Sequence, residues 1–183
     1  VVREDKSMNI SELHRRTAEE ILAICNQTDA VPVDIRSILE TLEISAIPFD
    51  FTEVEESLPE KYKGSKILGA MISKDKNAAI LYSAKDKKDS HRMRFTIAHE
   101  LAHLCRGEHR HIEFRIDGDL TEDEIAANTF AGELLIPENT LKSVIKELLA
   151  PTIANLADIF DVSVNVMNER IKHLDLQDRV IGA

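Results

Sequence analysis

The stretch RFTIAHELAHL, residues 94–104, decides how this 183-residue chain is interpreted. It contains the pattern His-Glu-x-x-His, formed by His99, Glu100 and His103. Residues four apart lie on the same face of a helix, so the two imidazole rings can reach one metal ion without distortion of the backbone. The apolar residues around them predict a buried helix that ends near Gly107, and buried histidines need polar partners. The pattern therefore indicates either a metal site or one polar face of an ordinary helix.

The metal-site interpretation gives each residue type a chemical role. A zinc ion bound by three protein groups keeps a fourth position for water, lowers the pKa of that water to about 7 and polarises the scissile carbonyl of a peptide. Glu100 would act as general base, accept the proton of the attacking water and deliver it to the leaving amine. On this interpretation the protein is a zinc peptidase, with His99 and His103 as two of the ligands.

A catalytic zinc site needs a third protein ligand, and the sequence downstream offers several. His109 has the spacing of the third histidine in an extended HExxHxxGxxH site, but Arg106 stands where that pattern requires glycine. The match is therefore poor. The acidic and imidazole candidates are Glu108, His109, His111, Glu113, Asp117, Asp119, Glu122, Asp123, Glu124, Glu133 and Glu138.

Glu124 is the candidate on the next predicted helix, 21 residues after His103. It lies four residues before Asn128 on one helical face, so that the carboxylate could bind the ion while the Asn128 amide orients a ligating histidine. Thr121 and Glu124 also fit a capping box, in which the carboxylate only folds back onto the start of the helix. The residues alone leave both interpretations open.

The composition predicts a soluble, globular, cytoplasmic protein. Hydrophobic residues make up 43% and charged residues 31% of the chain, and no apolar run approaches the roughly 18 residues that span a bilayer. The net charge of -10 opposes binding to a polyphosphate backbone. Cys25 and Cys105 lack ligand spacing, and the absence of a secretory signal pattern favours a reducing compartment.

The hydrophobic periodicity predicts an α+β fold with several helices and a small, mainly antiparallel sheet. The first helix is expected within NISELHRRTAEEILAICNQ, with Asn9 or Ser11 as its N-cap. Pro48 indicates an edge strand in ISAIPFDF. We expect further helices within 31–44, 90–107, 121–137, 138–149, 152–160 and 162–174, the last capped by Ser163, strands at 66–73 and 78–84 joined by a turn at 74–77, and an irregular segment at 107–120.

Two adjacent motifs, RMRFTIAHELAHL and EIAANTFAGELLIP, resemble the ImmA/IrrE family of bacterial and phage metallopeptidases. The resemblance is strongest over residues 90–137 and extends more weakly over the rest of the chain. It implies a zincin-like fold and a gluzincin-like site with His99, His103 and Glu124 as ligands and Glu100 as general base. Departures include Ala102, where the family often has glycine, and Cys105, a thiol two residues from His103 that could affect metal choice or redox sensitivity.

The resemblance also implies a function, that of a zinc-dependent endopeptidase that cleaves or inactivates a helix-turn-helix repressor. Zn²⁺ is the expected cofactor, with Mn²⁺ or another divalent ion as the alternative, and no membrane partner is expected. We expect a metallopeptidase domain over residues 1–137 and a C-terminal helical segment, 138–183, packed on it. The residue that would stabilise the oxyanion is unassigned. Conceivable candidates are Tyr62, Tyr82, Arg92, His109, His111 and His173.

Two other functions compete with proteolysis. The protein could regulate a repressor by binding it, with a metal site but no cleavage. The segment TIANLADIFDVSVNVMNERIKHL also resembles a helix-turn-helix, which would suggest DNA binding. Its second helix offers Asn165, Asn168, Glu169, Arg170 and Lys172, too little positive charge for a groove-reading helix in so acidic a chain.

Overall fold

The computed structural model describes residues 10–74, 77–85, 90–107, 113–116 and 121–182. Within them the chain has the predicted α+β fold, with helices packed against a small sheet. The helices are α1 Ile10–Leu13, α2 Ala18–Ile24, α3 Ile35–Thr41, α4 Thr52–Glu56, α5 Ser90–Arg106, α6 Glu122–Leu135, α7 Glu138–Glu147, α8 Ile153–Phe160 and α9 Val164–His173. The strands are β1 Ser45–Phe49, β2 Ile67–Lys74, β3 Asn77–Ser83 and β4 Glu113–Ile116. Short 3-10 helices lie at Glu60–Tyr62 and Gln177–Arg179.

The sheet has the strand order β1-β3-β2-β4. Strand β2 is antiparallel to both β3 and β4, whereas β1 is parallel to β3, so the prediction of a mainly antiparallel sheet is confirmed. Pro48 lies in β1 at one edge, where a residue without an N–H is tolerated. The turn expected between β2 and β3 includes residues 75–76, which lie outside the described residues.

Strand β4 corrects the prediction that residues 107–120 are irregular. It pairs with β2 at the second edge of the sheet, with Ala70 opposite Phe114 and Gly69 opposite Arg115. The strand has only four residues, so its alternating side chains give a weak signal, and it also depends on hydrogen bonds to β2. The consequence for the site is that Arg115 is held on a fixed strand.

Helix α5, which carries the His-Glu-x-x-His pattern, lies between the sheet and α6. This position explains why its residues are buried on nearly every side, including the polar Thr96, His99, Glu100 and His103. The helix ends before Gly107, whose φ of +75° places it in the left-handed region that glycine adopts without strain. The predicted buried helix and its C-terminal stop are thus confirmed.

The prediction of one continuous first helix is wrong, because this segment forms two helices, α1 and α2. Arg15 has a φ of +66°, and its amide donates to the carbonyl of Cys105 at the end of α5. Helix α2 then starts at Thr17, whose side chain accepts from the Glu20 amide while the Glu20 carboxylate accepts from the Thr17 amide. This complete capping box starts a new helix where periodicity alone predicts a continuous one.

The C-terminal helices share the main hydrophobic core with the rest of the chain. Leu134 of α6, Phe160 of α8 and Ile171 of α9 are all fully buried in one cluster. Ser163 caps α9 as predicted, by accepting from the Val166 amide. The division into domains at residue 137 stays a prediction. Within the described part of the chain, no helix is both long and apolar enough to cross a membrane.

Gly69 allows β2 to approach α5 closely, and this contact yields a testable prediction. A Cβ at this position would lie 2.5 Å from Thr96 Cγ2 and 2.9 Å from Glu100 Oε1. Gly69→Ala should therefore lower the free energy of unfolding by about 1–3 kcal/mol, as overpacking does. Urea unfolding measures the change. Gly132→Ala is the control, because a Cβ there would lie 3.9 Å from Arg170 Cδ, an ordinary contact distance. An unchanged midpoint for Gly69→Ala would contradict the close packing.

Candidate metal centre

The structure brings together the three residues whose side chains were expected to bind a metal. His99 Nε2 lies 3.1 Å from Glu124 Oε2, and His103 Nε2 lies 3.3 Å from Glu124 Oε1. The two Nε2 atoms are 3.1 Å apart. Among the described residues these three form a group of potential ligands that converge on one point, at the contact between α5 and α6.

The hydrogen bond on the far side of His99 indicates which of its nitrogens is available to a metal. His99 Nδ1 lies 2.9 Å from Asn128 Oδ1, and Arg115 Nη2 donates to the same oxygen at 3.4 Å. A guanidinium can only donate, so this oxygen is an acceptor and His99 Nδ1 must carry the proton. In the neutral ring, Nε2 then presents a lone pair toward Glu124 and His103.

The protonation states of His99 and Glu124 favour the binding of a cation between them. Burial lowers the pKa of His99 to about 4, and the nearby Glu124 carboxylate offsets this only in part, so the ring is neutral at pH 7. Burial acts to raise the pKa of Glu124, but the pKa is held well below the ordinary value, chiefly by the hydrogen bond from His103. A charged carboxylate thus faces the lone pair of a neutral imidazole, an arrangement that a metal ion would stabilise.

The separations of the donor atoms fit a tetrahedral ion. Zinc–nitrogen and zinc–oxygen bonds of about 2.1 Å at tetrahedral angles place neighbouring ligand atoms about 3.4 Å apart. The two Nε2 atoms are 3.1 Å apart, Glu124 Oε2 lies 3.1 Å from His99 Nε2, and Glu124 Oε1 lies 3.3 Å from His103 Nε2. Two imidazoles and one carboxylate also form a donor set that suits Zn²⁺. The residues therefore fit a zinc ion with three protein ligands.

The Glu124 side chain does not form the capping box that was the alternative interpretation. The Thr121 hydroxyl accepts from the Glu124 amide at 3.3 Å, so Thr121 does cap α6. The Glu124 carboxylate, however, points to the two histidines. In α2, by contrast, the Glu20 carboxylate accepts from the Thr17 amide and completes a capping box. Comparison of the two helices favours the ligand interpretation.

Glu100, the expected general base, is buried with 1% of its surface exposed. It follows His99 in α5 and lies one turn after Thr96, and both residues face β2 at Gly69. The Leu81 carbonyl of β3 also lies close to Gly69. Glu100 is thus confined between the helix and the sheet. Its catalytic role stays a prediction.

The other third-ligand candidates are placed elsewhere or lie outside the described part. Asp123 pairs with Arg106, and Glu133 lies 3.8 Å from Arg170. Glu138 forms an ion pair with Lys142, and Glu122 is exposed. Residues 108–112 and 117–120, which contain Glu108, His109, His111, Asp117 and Asp119, are outside the described residues, and the side chain of Glu113 is not described either.

The residue that would stabilise an oxyanion stays unassigned. Arg92 and His173 line a cavity beside the metal centre. Tyr82 is 9% exposed in β3, and the Tyr62 hydroxyl accepts from Lys61 at 2.9 Å. His109 and His111 lie outside the described residues.

Cys105 is buried at 2% exposure, and burial raises the pKa of its thiol to about 12. The thiol is therefore protonated at neutral pH, which makes it a slow nucleophile. The suggested effect of this thiol on metal choice or redox sensitivity stays a prediction. Burial likewise raises the pKa of Cys25, to about 11.

Arg115 is a residue of the site that the sequence did not reveal. Its guanidinium donates to Thr96 Oγ1 and to Asn128 Oδ1, both at 3.4 Å, and lies 5.3 Å from the centre of the Phe95 ring. It therefore contacts both helices that carry the potential ligands. The alternating pattern of residues 112–116, in which isoleucine and phenylalanine alternate with glutamate and arginine, is the signal that could have placed it on a strand.

An HExxH helix within an α+β fold, with a glutamate from the next helix against its two histidines, defines the class of zincin-like metallopeptidases. The sequence profile of peptidase family M78, described as the IrrE N-terminal-like domain, matches residues 60–172, more than half of the chain. The chain therefore belongs to this family, and the predicted ImmA/IrrE relationship is confirmed. Comparisons with curated proteins and with solved structures give no match.

The Asn128 contact predicts a change in metal affinity. Asn128→Ala removes the acceptor that holds the His99 ring with its Nε2 toward the centre, and such orienting contacts contribute about 10–100-fold to metal affinity. Competition with a chromogenic chelator measures the zinc dissociation constant. Thr129→Ala, on the same helix, is the control, because the Thr129 hydroxyl donates to the Ile125 carbonyl instead. Equal affinities in the two variants would exclude the orienting role.

Proposed function

We propose that the protein is a zinc-dependent endopeptidase, with His99, His103 and Glu124 as ligands and Glu100 as general base. The observation that carries the proposal is the convergence of two buried imidazole nitrogens, 3.1 Å apart, and the Glu124 carboxylate, whose two oxygens lie 3.1 and 3.3 Å from them. When bound, Zn²⁺ supplies a Lewis acid that polarises the peptide carbonyl and makes water acidic enough to react near pH 7.

The side chains around the centre divide the remaining tasks. Glu100 accepts the proton of the attacking water through its carboxylate and transfers it to the leaving nitrogen. Its close packing against Gly69 restricts the carboxylate to one position, which lowers the entropy cost of reaching a reactive geometry. Asn128 fixes the ring of His99, and Arg115 fixes the amide of Asn128.

The proposed substrate is a helix-turn-helix repressor. This assignment follows from the resemblance to ImmA/IrrE proteins, and membership of the M78 family supports a peptidase of that type. A cavity of about 940 Å³ beside the metal centre is large enough to hold part of a peptide substrate.

DNA binding by α9 is disfavoured by the position of its basic residues. Arg170 is 7% exposed, and its Nε donates to the Ile136 carbonyl, so this cation is used inside the fold. Lys172 is exposed, but its pairing with Glu169 at 3.0 Å leaves α9 with little net positive charge for a DNA groove. The remaining alternative is a metal-containing regulator that binds a repressor without cutting it.

The test uses the purified protein and the helix-turn-helix regulator encoded next to its gene. We expect a discrete cut in the regulator, detected by mass spectrometry, that disappears when a chelator is added and returns with Zn²⁺. An intact regulator that nevertheless releases its operator in the presence of the zinc-loaded protein would favour the binding alternative. An intact regulator that stays on its operator would contradict the proposed substrate.

A further inference from the structure

A cavity of about 940 Å³ adjoins the metal centre on the side of α5, α6 and α9. Part of its wall is formed by Thr96, Arg115 and Asn128. A ligand in this cavity would therefore lie against Asn128, which contacts His99, and Thr96, which lies one turn before Glu100.

The charge of this cavity is opposite to that of the chain. Arg92, Arg115, Arg170 and Lys172 line it, whereas Glu169 is the single carboxylate among the described lining residues. The whole chain carries a net charge of -10. A concave wall with one sign of charge concentrates ligands of the other sign. Lys172 pairs with Glu169, and their side chains are 52% and 62% exposed. Because so exposed an ion pair is weak, a ligand carboxylate can compete with Glu169 for Lys172.

Apolar side chains share the same wall. Phe95, Ile125 and Val166 line the cavity, and Ile125 is 52% exposed. A nucleic acid duplex presents mainly charged phosphates, and its apolar groups in the major groove are limited to thymine methyls. A flexible peptide can place carboxylates on the cations and aliphatic side chains on the apolar wall. The combination favours peptide over DNA.

We propose that this cavity binds a peptide segment that carries both carboxylate and apolar side chains, and that it selects substrates for the metal centre in this way. The inference rests on the proposed function, because it names the class of segment that the peptidase accepts. Arg92 and Lys172, on two helices that face the cavity, contact the carboxylates, while Phe95 and Ile125 contact the apolar side chains.

The test measures binding to the full-length Glu100→Gln protein, so that the probes stay intact. The probes are a short fluorescein-labelled peptide in which glutamate alternates with leucine, and a twin with glutamine in place of glutamate. Fluorescence anisotropy at low salt should give about tenfold tighter binding of the glutamate peptide. This preference should shrink as salt is raised, because partly exposed ion pairs are screened.

The double variant R92Q/K172Q should reduce the preference to less than about threefold. The matched control K63Q/K146Q removes the same charge at exposed positions outside the cavity lining and should keep it. The inference is overturned if the twins bind equally, if the glutamate peptide does not bind, or if the control loses as much preference as the cavity variant. Tighter binding of a short DNA duplex that competes with the peptide would assign the cavity to nucleic acid instead.

Zinc content and regulator cleavage are measured on the same preparations, in wild type and Glu100→Gln. Stoichiometric zinc and cleavage by wild type, without a preference for the glutamate peptide, would remove the inference and leave the proposed function intact. Absence of zinc or of cleavage, with a clear preference for the glutamate peptide, would remove the peptidase proposal and leave an acidic-peptide site. The two failures are therefore distinguishable.

Discussion

Glu124→Ala is expected to abolish stoichiometric zinc binding. Wild-type protein purified without chelator should contain about one zinc per chain, since two imidazoles and a carboxylate complete the three-ligand set. Orienting residues contribute about 10–100-fold to metal affinity, so loss of a direct ligand should weaken binding by more than about 100-fold. Metal analysis after gel filtration, followed by titration with a competing chelator, measures both quantities.

The control for this experiment is Glu122→Ala, on the same helix. Glu122 is exposed, so its replacement removes the same charge without touching the centre. It should keep about one zinc per chain and the wild-type increase in melting temperature when Zn²⁺ is added. Normal zinc content in Glu124→Ala would remove Glu124 from the ligand set, and a third ligand would then have to come from another element.

Much of this centre was predictable because its information is local. His99, Glu100 and His103 share one helical turn, and Glu124 and Asn128 share the face of the next helix. Periodicity fixes such spacings before any tertiary contact is known. The local sequence could not decide whether Glu124 is a metal ligand or a helix cap, since both roles use the same position on the helix. This choice was decided by the packing of α6 against α5.

The features that the sequence did not reveal depend on contacts between distant residues. Arg115 enters the centre because β4 pairs with β2, which places it opposite Gly69 in the sheet. The break before α2 depends in part on the bond from the Arg15 amide to the Cys105 carbonyl, 90 residues further along the chain. The Arg15 contact leaves no periodic signal, and the alternation at residues 112–116 is too short to establish a strand by itself, so pattern analysis predicted an uninterrupted helix and an irregular segment.

Replacement of Glu100, the proposed general base, is expected to cause a large loss of cleavage. Glu100→Gln preserves the size of the side chain but removes the base, so cleavage of the regulator should fall by about 10²–10⁴-fold while zinc content stays near that of wild type. The amide cannot accept a proton at neutral pH, whereas the ligands are untouched. Single-turnover cleavage, measured with enzyme in excess over regulator, isolates the chemical step from product release.

This variant also separates proteolysis from regulation by binding. A peptidase mechanism requires that zinc-loaded Glu100→Gln bind the regulator but leave both its chain and its operator occupancy intact. If the variant releases the regulator from DNA as well as wild type does, the protein acts by binding and the buried carboxylate has a structural role. Glu122→Gln serves as the matched control and should cleave at the wild-type rate. Loss of cleavage in that variant too would mean that the effect does not come from the buried base, because Glu122 is exposed.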